Sequence, residues 1–557
     1  PQFVRWLDES EMLAAQKRFF HWELEFPDVF FDRQGRPLGD DAGFDAVVGN
    51  PPYVRQESLG DLKPYLADSY PEVYHGVADL YVYFYEQGIR QLRRGGRMSY
   101  IVTNKWLRAG YGEPLRGYFA SEGVIEEIID FGHAPIFEDA DVFPCIVLLK
   151  KPDREESQGD QSVRVVEFPR EALNADIATY VEENAHAVPR KRFGKNAWSL
   201  ETSAVDDLME KMRENGVPLA EFAGVKPLYG IKTGLNEAFL IDTQARDRLV
   251  REDPRSAEVI KPYLRGQDIK RWSPEWRGLW IIVLKSSGDH AWPWSDTDDA
   301  EEVFRQTYPS LYGHMKPLED KLRKRRDKGH HWWELRTCAY YDAFEKPKIM
   351  YPDITWRSSF TLDTDGRMFN NTVYFLPTNS VWLMAVLDSP LMWSYCWRNA
   401  AHGKDEALRF FGDFVQRIPI AQPTDEARGE AEDSVGRLIS FASSGQEARR
   451  DTLDWLRVEF GVEKPGQKLE DFATLGPDAF VDEVRKRRPK GEGRLTPGAL
   501  RDLKSGYAEM SGPVREARTE AASLERKLSD LVNRAYGLTA ENVDLLWKTA
   551  PPRMPRP

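Results

Sequence analysis

The chain has 557 residues, of which 41% are hydrophobic and 12% aromatic, and its formal net charge is −13. This length is enough for about three or four domains, each with a core of its own. The acidic balance excludes a uniformly basic nucleic-acid-binding protein, because affinity for phosphates comes chiefly from lysine and arginine. The sequence has neither a run of about 20 apolar residues nor a secretory signal, so we expect a cytoplasmic protein without membrane contact.

Three cysteines, Cys145, Cys338 and Cys396, are scattered along the chain. They form no CxxC pair and have no nearby histidines, so we expect neither a disulfide framework nor a metal site. We interpret them as small buried side chains. The chain begins with Pro1 rather than Met, and a predicted helix starts within ten residues of it, so we expect a fragment of a longer protein.

The first 152 residues alternate between predicted helices and strands, which is typical of an α/β sheet with helical crossovers. Asp8 and Glu11 have the spacing of a capping box and predict a helix over residues 8–20. The β-branched run 44–49 precedes two prolines and predicts a buried strand that ends in a loop. Gly95 and Gly96 predict the end of a helix. The remaining patterns predict helices over 79–92 and 113–121 and strands over 98–103, 124–130 and 143–150.

Three later segments differ in composition. Residues 153–220 form a mixed connecting region that begins with charged and polar residues, as in a surface loop. Residues 221–425 are rich in tryptophan, tyrosine and short β-type runs, which predict a separate α+β domain. From 426 to 557 the composition shifts to Ala, Glu, Arg and Leu, with leucines at helical spacing, so we predict a mostly helical region.

The tetrapeptide Asn50-Pro51-Pro52-Tyr53 directly follows a predicted strand, and ligands of open α/β sheets collect at the carboxyl ends of strands. An exocyclic amine conjugated into an aromatic ring is a poor nucleophile. Hydrogen bonds accepted by an asparagine oxygen and a backbone carbonyl would pull its nitrogen toward tetrahedral geometry. The prolines stiffen the loop. Tyr53 offers an aromatic face, and stacking on it would stabilise a base that has left the duplex by about 1–3 kcal/mol.

Two other interpretations of the tetrapeptide remain open. It could be a simple turn, or a proline-rich peptide that docks on another protein. The strand that precedes it favours a site in a folded domain, because docking peptides normally lie in flexible exposed segments.

Residues 20–30 and 44–54 resemble the gamma-class adenine-N6 DNA methyltransferases of bacterial restriction-modification and phage-defence systems. Four later segments resemble the target-recognition domains of type IIG enzymes and phage-exclusion methyltransferases: 224–239, 260–269, 346–353 and 410–419. The resemblance implies site-specific transfer of a methyl group from S-adenosylmethionine to a flipped adenine in double-stranded DNA. It also implies a partial Rossmann-like methyltransferase sheet in residues 1–152, a target-recognition domain in 221–425 and a helical region after it.

The resemblance implies roles for single residues. The Asn50 side chain and the Pro51 carbonyl would hold the target amine, and Tyr53 would stack on the flipped adenine. Phe137 sits where the family has a second aromatic residue against that base; Phe143 is the alternative, and a place in the core stays open for both. Asp79 would border the cofactor pocket, although a helix N-cap is the simpler role.

The sequence departs from the family in the cofactor site. Gamma-class enzymes carry a glycine-rich loop well upstream of the tetrapeptide, whereas only 49 residues precede Asn50 here. The segment 39–43, Gly-Asp-Asp-Ala-Gly, lacks the spacing and the strand-then-helix context of such a loop. We therefore expect the main S-adenosylmethionine-binding loop to come from missing N-terminal sequence or from a partner chain. The pattern predicts no nuclease site.

A basic run over 321–328 interrupts the acidic chain, and we predict that Arg323, Lys324, Arg325 and Arg326 contact DNA phosphates. A solvated helix face is the alternative for such a run. Two other functions compete with DNA methylation. The chain could be a DNA-specificity module that serves a partner carrying the cofactor site. It could also methylate a glutamine side chain in a protein, but a large duplex-reading domain argues against that substrate.

Overall fold

The structure is a computed structural model. It describes residues 5–6, 10–12, 14–15, 20–132, 134, 136–137, 142–153, 162–168, 172, 176–403, 406–489 and 493–556. Residues 10–12 and 14–15 are helical, but most of the helix predicted over 8–20 lies outside the described residues. No helix of the described residues is both long and apolar enough to span a lipid bilayer.

The chain divides into two compact units, unit 1 (Pro1–Asp206) and unit 2 (Asp207–Pro557). In the described part of unit 1, six strands form one sheet in the order β1-β2-β4-β3-β5-β6. The sheet continues past residue 152, where sequence composition places the end of this domain. The strands are β1 (Phe44–Gly49), β2 (Leu92–Thr103), β3 (Val124–Asp130), β4 (Pro144–Lys150), β5 (Ser162–Glu167) and β6 (His186–Pro189).

The sheet of unit 1 is mixed. β1 pairs in parallel with β2, and β3 pairs in parallel with β5. β4 runs antiparallel between β2 and β3, and β6 is antiparallel to β5. Because both β2 and β3 oppose β4, the strands β1, β2, β3 and β5 all point the same way, and their carboxyl ends lie along one end of the sheet.

The helices of unit 1 connect these strands and confirm the predicted alternation. They are α1 (Trp22–Glu25), α2 (Pro27–Phe30), α3 (Lys63–Ser69), α4 (Tyr81–Gln91), α5 (Glu113–Glu122), α6 (Ile177–Asn184) and α7 (Ser203–Glu214), which contains the unit boundary. The strand after α4 begins at Leu92, before the two glycines that were predicted to separate them. Opposite β1 the pairing passes from Leu92 to Arg97, so the glycines form a bulge, and Gly95 takes a φ of 73°.

The burial predicted for β1 is wrong. Among the described residues, no strand pairs with the side of β1 that faces away from β2, so β1 is an edge strand. Val48 is 81% exposed as a result. The apolar run is typical of a strand covered on both sides, but only neighbours distant in sequence could provide that cover.

An aromatic core packs against the sheet. The ring centroid of Tyr85 lies 5.4 Å from that of Tyr100 and 5.0 Å from that of Phe119. The ring centroid of Trp106 lies 5.2 Å from that of Trp198. Gly88 lets α4 approach the sheet closely, since a Cβ there would lie 2.8 Å from the Tyr100 hydroxyl. This packing fixes the strand ends that carry the candidate site.

Unit 2 combines small sheets with helices. In its described residues the sheets have the orders β15-β10-β11-β9, β14-β12-β16-β8, β13-β18-β17 and β19-β7. The strands are β7 (Gly216–Pro218), β8 (Leu228–Tyr229), β9 (Leu240–Asp242), β10 (Ile260–Leu264), β11 (Leu279–Ile282), β12 (Lys348–Pro352), β13 (Ile354–Thr355), β14 (Thr361–Asp363), β15 (Met368–Phe369), β16 (Val373–Leu376), β17 (Ala401–His402), β18 (Leu408–Arg409) and β19 (Pro419–Ala421). The predicted α+β segment is confirmed.

The helices of unit 2 become long toward its C-terminal end, as the composition predicts. They are α8 (Leu219–Ala223), α9 (Asn236–Phe239), α10 (Thr243–Glu252), α11 (Ser256–Val259), α12 (Ala300–Thr307), α13 (Pro309–Met315), α14 (Glu319–Lys324), α15 (Val381–Leu387), α16 (Pro390–Asn399), α17 (Gly412–Val415), α18 (Asp425–Phe460), α19 (Gly466–Glu470), α20 (Pro477–Arg487), α21 (Pro497–Ala535) and α22 (Ala540–Lys548). Thr424 caps α18 at its start, and Gly461 ends it with a φ of 67°. Leu438 of α18 and Leu528 of α21 share a core with Trp382 and Leu391.

Candidate functional site

The tetrapeptide lies where its position in the sequence predicts, in a loop at the carboxyl end of β1. Asn50 is exposed, whereas Pro51 is buried and anchors the loop. Within the part of the chain that the structure describes, neither the Asn50 side chain nor the Pro51 carbonyl takes part in a hydrogen bond. Two oxygen acceptors, from a side chain and from the backbone, are therefore open in the sense that no described residue donates to them.

The residues after the tetrapeptide are fastened to the start of α4. The Leu80 N–H donates to the Val54 carbonyl at 3.0 Å. The Gln56 N–H donates to the Asp79 carboxylate at 2.9 Å. Asp79 is not the N-cap of α4, which is Leu80 without a side-chain cap, so the N-cap alternative is wrong. Its carboxylate holds the loop, while its contact with a cofactor stays a prediction.

Tyr53 faces an aromatic partner. Its ring lies 6.4 Å from the ring of Phe137 between centroids, at an angle of 72°. Tyr53 is 37% exposed, and its hydroxyl lies 3.4 Å from the Ile101 carbonyl oxygen. Partial burial, with a smaller contribution from Cys145, raises the pKa of Tyr53 to about 12, so the phenol is neutral near pH 7. The structure thus pairs the two residues that were predicted to contact the base.

Two polar residues at the same end of the sheet were missed from the sequence. Asn104 follows β2, Asp130 ends β3, and the Asn104 amide donates to the Asp130 carboxylate at 2.8 Å. The Gly132 N–H donates to the same oxygen at 2.9 Å. Phe143, the alternative to Phe137, accepts a hydrogen bond from the Asn104 N–H through its carbonyl at 2.6 Å. Polar residues that directly follow predicted parallel strands were the available signal.

The four cations predicted to bind DNA do not act together. Arg325 is buried, and its guanidinium donates to the carbonyls of Thr233 (2.6 Å), Trp332 (2.8 Å) and Glu334 (2.7 Å). Burial lowers the pKa of Arg325 to about 10. With a fourth bond from its Nε to the Leu322 carbonyl at 3.2 Å, this guanidinium is committed to four backbone carbonyls inside unit 2 and cannot reach a phosphate, so the prediction for this residue is corrected.

The other three cations are exposed, but they differ in whether a carboxylate of the protein already pairs with them. Arg323 pairs with Glu319 at 2.6 Å and lies 3.6 Å from Glu301. Lys324 and Arg326 are exposed and have no ion pair or hydrogen bond with other described residues through their side chains. A DNA contact therefore remains a prediction for these two above all.

Comparison with known proteins gives separate matches in unit 1 and in unit 2. Residues 4–137 match the Eco57I restriction-modification methylase family, and residues 261–420 match the TaqI-like C-terminal specificity domain. Residues 424–532 match a domain of unknown function. The tetrapeptide lies in the first match, and the strands β11 to β18 of unit 2 lie in the second.

Curated relatives align with more than two thirds of the chain. The Type II methyltransferase M.PaeR7I of Pseudomonas aeruginosa is 25% identical over 407 residues, which are 69% of this chain and 65% of that protein. M.XhoI of Xanthomonas vasicola is 26% identical over 397 residues, 68% of each chain. The chain is thus similar to Type II methyltransferases of restriction-modification systems. It spans about two thirds of the length of the curated proteins it matches.

A solved structure shares the fold of this chain. The Type IIL restriction-modification enzyme MmeI, determined in complex with DNA, aligns with a TM-score of 0.50 and 14% identity. The alignment covers 91% of this chain and 56% of that one. At this identity the match shows the shared fold alone.

Proposed function

We propose that the chain catalyses site-specific methylation of adenine N6 in double-stranded DNA, within a restriction-modification or phage-defence system. The two open acceptors, Asn50 and the Pro51 carbonyl, carry this proposal. Tyr53, three residues along, adds an aromatic face with Phe137 as its neighbour. A flipped aminopurine offers two N–H donors and a flat ring, and this loop is complementary to both. The substrate would be DNA in the cytoplasm.

The chemistry proposed for these residues concerns the amine. In free adenine the nitrogen lone pair is conjugated into the ring, which makes it weakly nucleophilic. Asn50 Oδ1 and the Pro51 carbonyl would each accept one N–H, which favours a pyramidal nitrogen and directs its lone pair away from the ring. The hydrogen bonds from Gln56 to Asp79 and from Leu80 to Val54 keep these acceptors in place with little reorganisation. S-Adenosylmethionine would supply the electrophilic methyl group.

The described residues fit this cofactor only in part. Asp79 is the single residue for which the sequence suggests a cofactor contact, and its carboxylate already accepts from Gln56 N–H. We therefore propose that a further N-terminal segment or a partner chain supplies the main binding loop. The isolated chain should then bind S-adenosylmethionine more weakly than micromolar, and calorimetry that gives a micromolar Kd would contradict this.

The test is made at the natural locus, so that any adjoining sequence or partner is expressed as well. The locus is placed in a bacterial host that lacks DNA methylation, and nucleosides of the host DNA are measured by mass spectrometry. We expect N6-methyladenine with the parent protein, much less with Asn50→Ala, and parental levels with Asn184→Ala, an exposed control on α6. N4-Methylcytosine instead would refute the adenine assignment. Equal products from the parent and Asn50→Ala would refute the catalytic loop.

A DNA-specificity module is the second candidate, favoured by the match of unit 2 to a specificity domain. It predicts that the full chain binds a particular duplex without cofactor and that Asn50→Ala leaves methylation at the locus unchanged. Methylation of a protein glutamine is the third candidate and would leave the DNA nucleosides unmodified. Unchanged methylation with Asn50→Ala would therefore indicate the specificity module, and unmodified DNA nucleosides would indicate glutamine methylation, in place of the leading proposal.

A further inference from the structure

A cleft of about 140 Å³ opens in unit 2 at the edge of the sheet β14-β12-β16-β8. One wall is the segment that contains the edge strand β8, residues 229–232, and the other is residues 336–341 with Phe344. Among the described residues, β8 pairs on one side alone, with β16, where Tyr229 lies opposite Tyr374. The cleft is thus bordered by a sheet edge and by side chains rather than by a helix.

Arg336 stands in this cleft with a side chain that is 36% exposed. Its Nη1 lies 3.3 Å from Asp327 Oδ1, and its Nη2 lies 3.5 Å from the Tyr229 hydroxyl. Both contacts are long for hydrogen bonds, so they orient the guanidinium without saturating its five N–H donors. Arg336 differs in this respect from Arg325, whose donors are taken up by backbone carbonyls.

The surroundings of Arg336 are held by other contacts. The Tyr341 hydroxyl donates to the Arg336 carbonyl at 3.0 Å, and the Tyr340 hydroxyl donates to the Tyr229 carbonyl at 3.1 Å. The Tyr229 ring lies 6.2 Å from that of Tyr340 and 6.4 Å from that of Tyr374. The backbone below the guanidinium and the aromatic walls beside it are therefore fixed before a ligand arrives.

One cation that has no side-chain partner among the described residues lines the same cleft. Lys232 is one of its lining residues and is exposed, with no side-chain partner among the described residues. Gly234, two residues along, packs against the segment that carries Arg326, since a Cβ there would lie 3.1 Å from the Asp327 carbonyl oxygen. Loosely held cations at a rim suit phosphates, whereas one oriented guanidinium inside a cleft suits the edge of a base.

Resting on the proposed function, we propose that this cleft reads DNA sequence and that Arg336 is a specificity-determining residue that contacts a guanine. The planar guanidinium can donate in parallel to guanine O6 and N7 in the major groove. Adenine presents an amino donor in place of O6, so the same fork would be repelled there. Such a pair discriminates by about 1–3 kcal/mol, which corresponds to about 5–150-fold in affinity.

The experiment selects duplexes from a randomised library with the full chain and sequences the bound fraction. We expect the parent to enrich a motif that includes a guanine, and Arg336→Ala to lose the preference at one guanine while the rest of the motif persists. Arg326→Ala is the matched control; it should weaken binding to every duplex and leave the motif unchanged. Arg336→Gln, which keeps a side chain of similar length in the cleft, should lose the same guanine preference with a parental unfolding midpoint.

Titrations against paired duplexes that differ at that position measure the effect. The parent should prefer guanine to adenine by about 5–150-fold, and both Arg336 variants by less than about twofold. An unchanged motif in Arg336→Ala, or an equal loss of affinity for all sequences, would overturn the role of Arg336. If the parent itself enriches no motif, sequence reading by this chain is refuted as a whole, whereas the methylation test at the locus decides the catalytic proposal separately.

Discussion

The loop Asn50–Tyr53 and the basic segment 321–328 both stand out in the sequence, yet the fold treats them differently. In the loop the acceptors that the chemistry needs stay open, with Asn50 exposed and Pro51 anchored. In the basic segment Arg325 is buried while its neighbours Lys324 and Arg326 are exposed. Two prolines restrict the loop whatever surrounds it, whereas consecutive residues at a helix end point in directions about 100° apart. The conformation of a loop restricted by prolines can therefore be predicted from the sequence better than the exposure of side chains in a run of basic residues.

The largest effect is expected at the loop. Asn50→Ala removes one acceptor and should lower the methyl-transfer rate by about 10²–10³-fold, the range for loss of one oriented transition-state hydrogen bond. Asn50→Asp keeps an acceptor oxygen and should retain more activity than the alanine variant. Single-turnover kinetics with the protein expressed from its locus measure both rates. An aspartate variant as inactive as the alanine variant would argue that the amide, and not its oxygen, is needed.

The next effect separates the buried cation from its exposed neighbours. Arg325→Ala removes the donor of the Thr233 and Trp332 carbonyls and one of the two donors of the Glu334 carbonyl. It should lower the free energy of unfolding by about 3 kcal/mol. Lys324→Ala and Arg326→Ala should each change it by less than about 0.5 kcal/mol. Urea unfolding of the three variants makes the comparison. Similar stabilities for all three would show that the Arg325 hydrogen bonds do not hold this part of the unit.

A smaller effect is expected where Asp79 holds the loop. Asp79→Ala removes the acceptor of the Gln56 N–H, and a hydrogen bond to a charged group contributes about 1.5–3 kcal/mol. Amide exchange in residues 54–56 should therefore accelerate about tenfold or more. Asp79→Asn keeps an acceptor oxygen and should exchange more slowly than the alanine variant. Parental exchange rates in Asp79→Ala would show that the loop is held by its prolines and the Leu80 bond alone.

The smallest effect is expected from the exposed cations. Replacing Lys324 and Arg326 together with alanine should reduce the slope of log affinity against log salt by about 2, since about one counterion is released per phosphate contact. The sequence preference should not change, because phosphate contacts do not specify bases. Titration against a non-cognate duplex at several salt concentrations measures the slope. The Arg323→Ala variant, whose guanidinium already pairs with Glu319, serves as the matched control.

Features of this chain that depend on neighbouring residues could be predicted from its sequence. The sequence predicted the strand Phe44–Gly49, the loop after it, the helices and strands that alternate to Lys150, and the helical region beyond 425. It also showed a resemblance to restriction-modification methyltransferases through segments spread over the chain. Propensity, capping and turn chemistry act over a few residues, so their pattern can be read from the chain in order.

Only the tertiary structure decided the features that depend on distant parts of the chain. It placed β4 between β2 and β3, left β1 at an edge, and joined Asn104 to Asp130 across strand ends. It buried Arg325 under carbonyls 92 and 9 residues away, while it left Arg336 in a cleft beside Tyr229. Strand order and burial depend on contacts between residues that are remote in sequence. A local pattern therefore does not predict which of two arginines will be buried by such contacts.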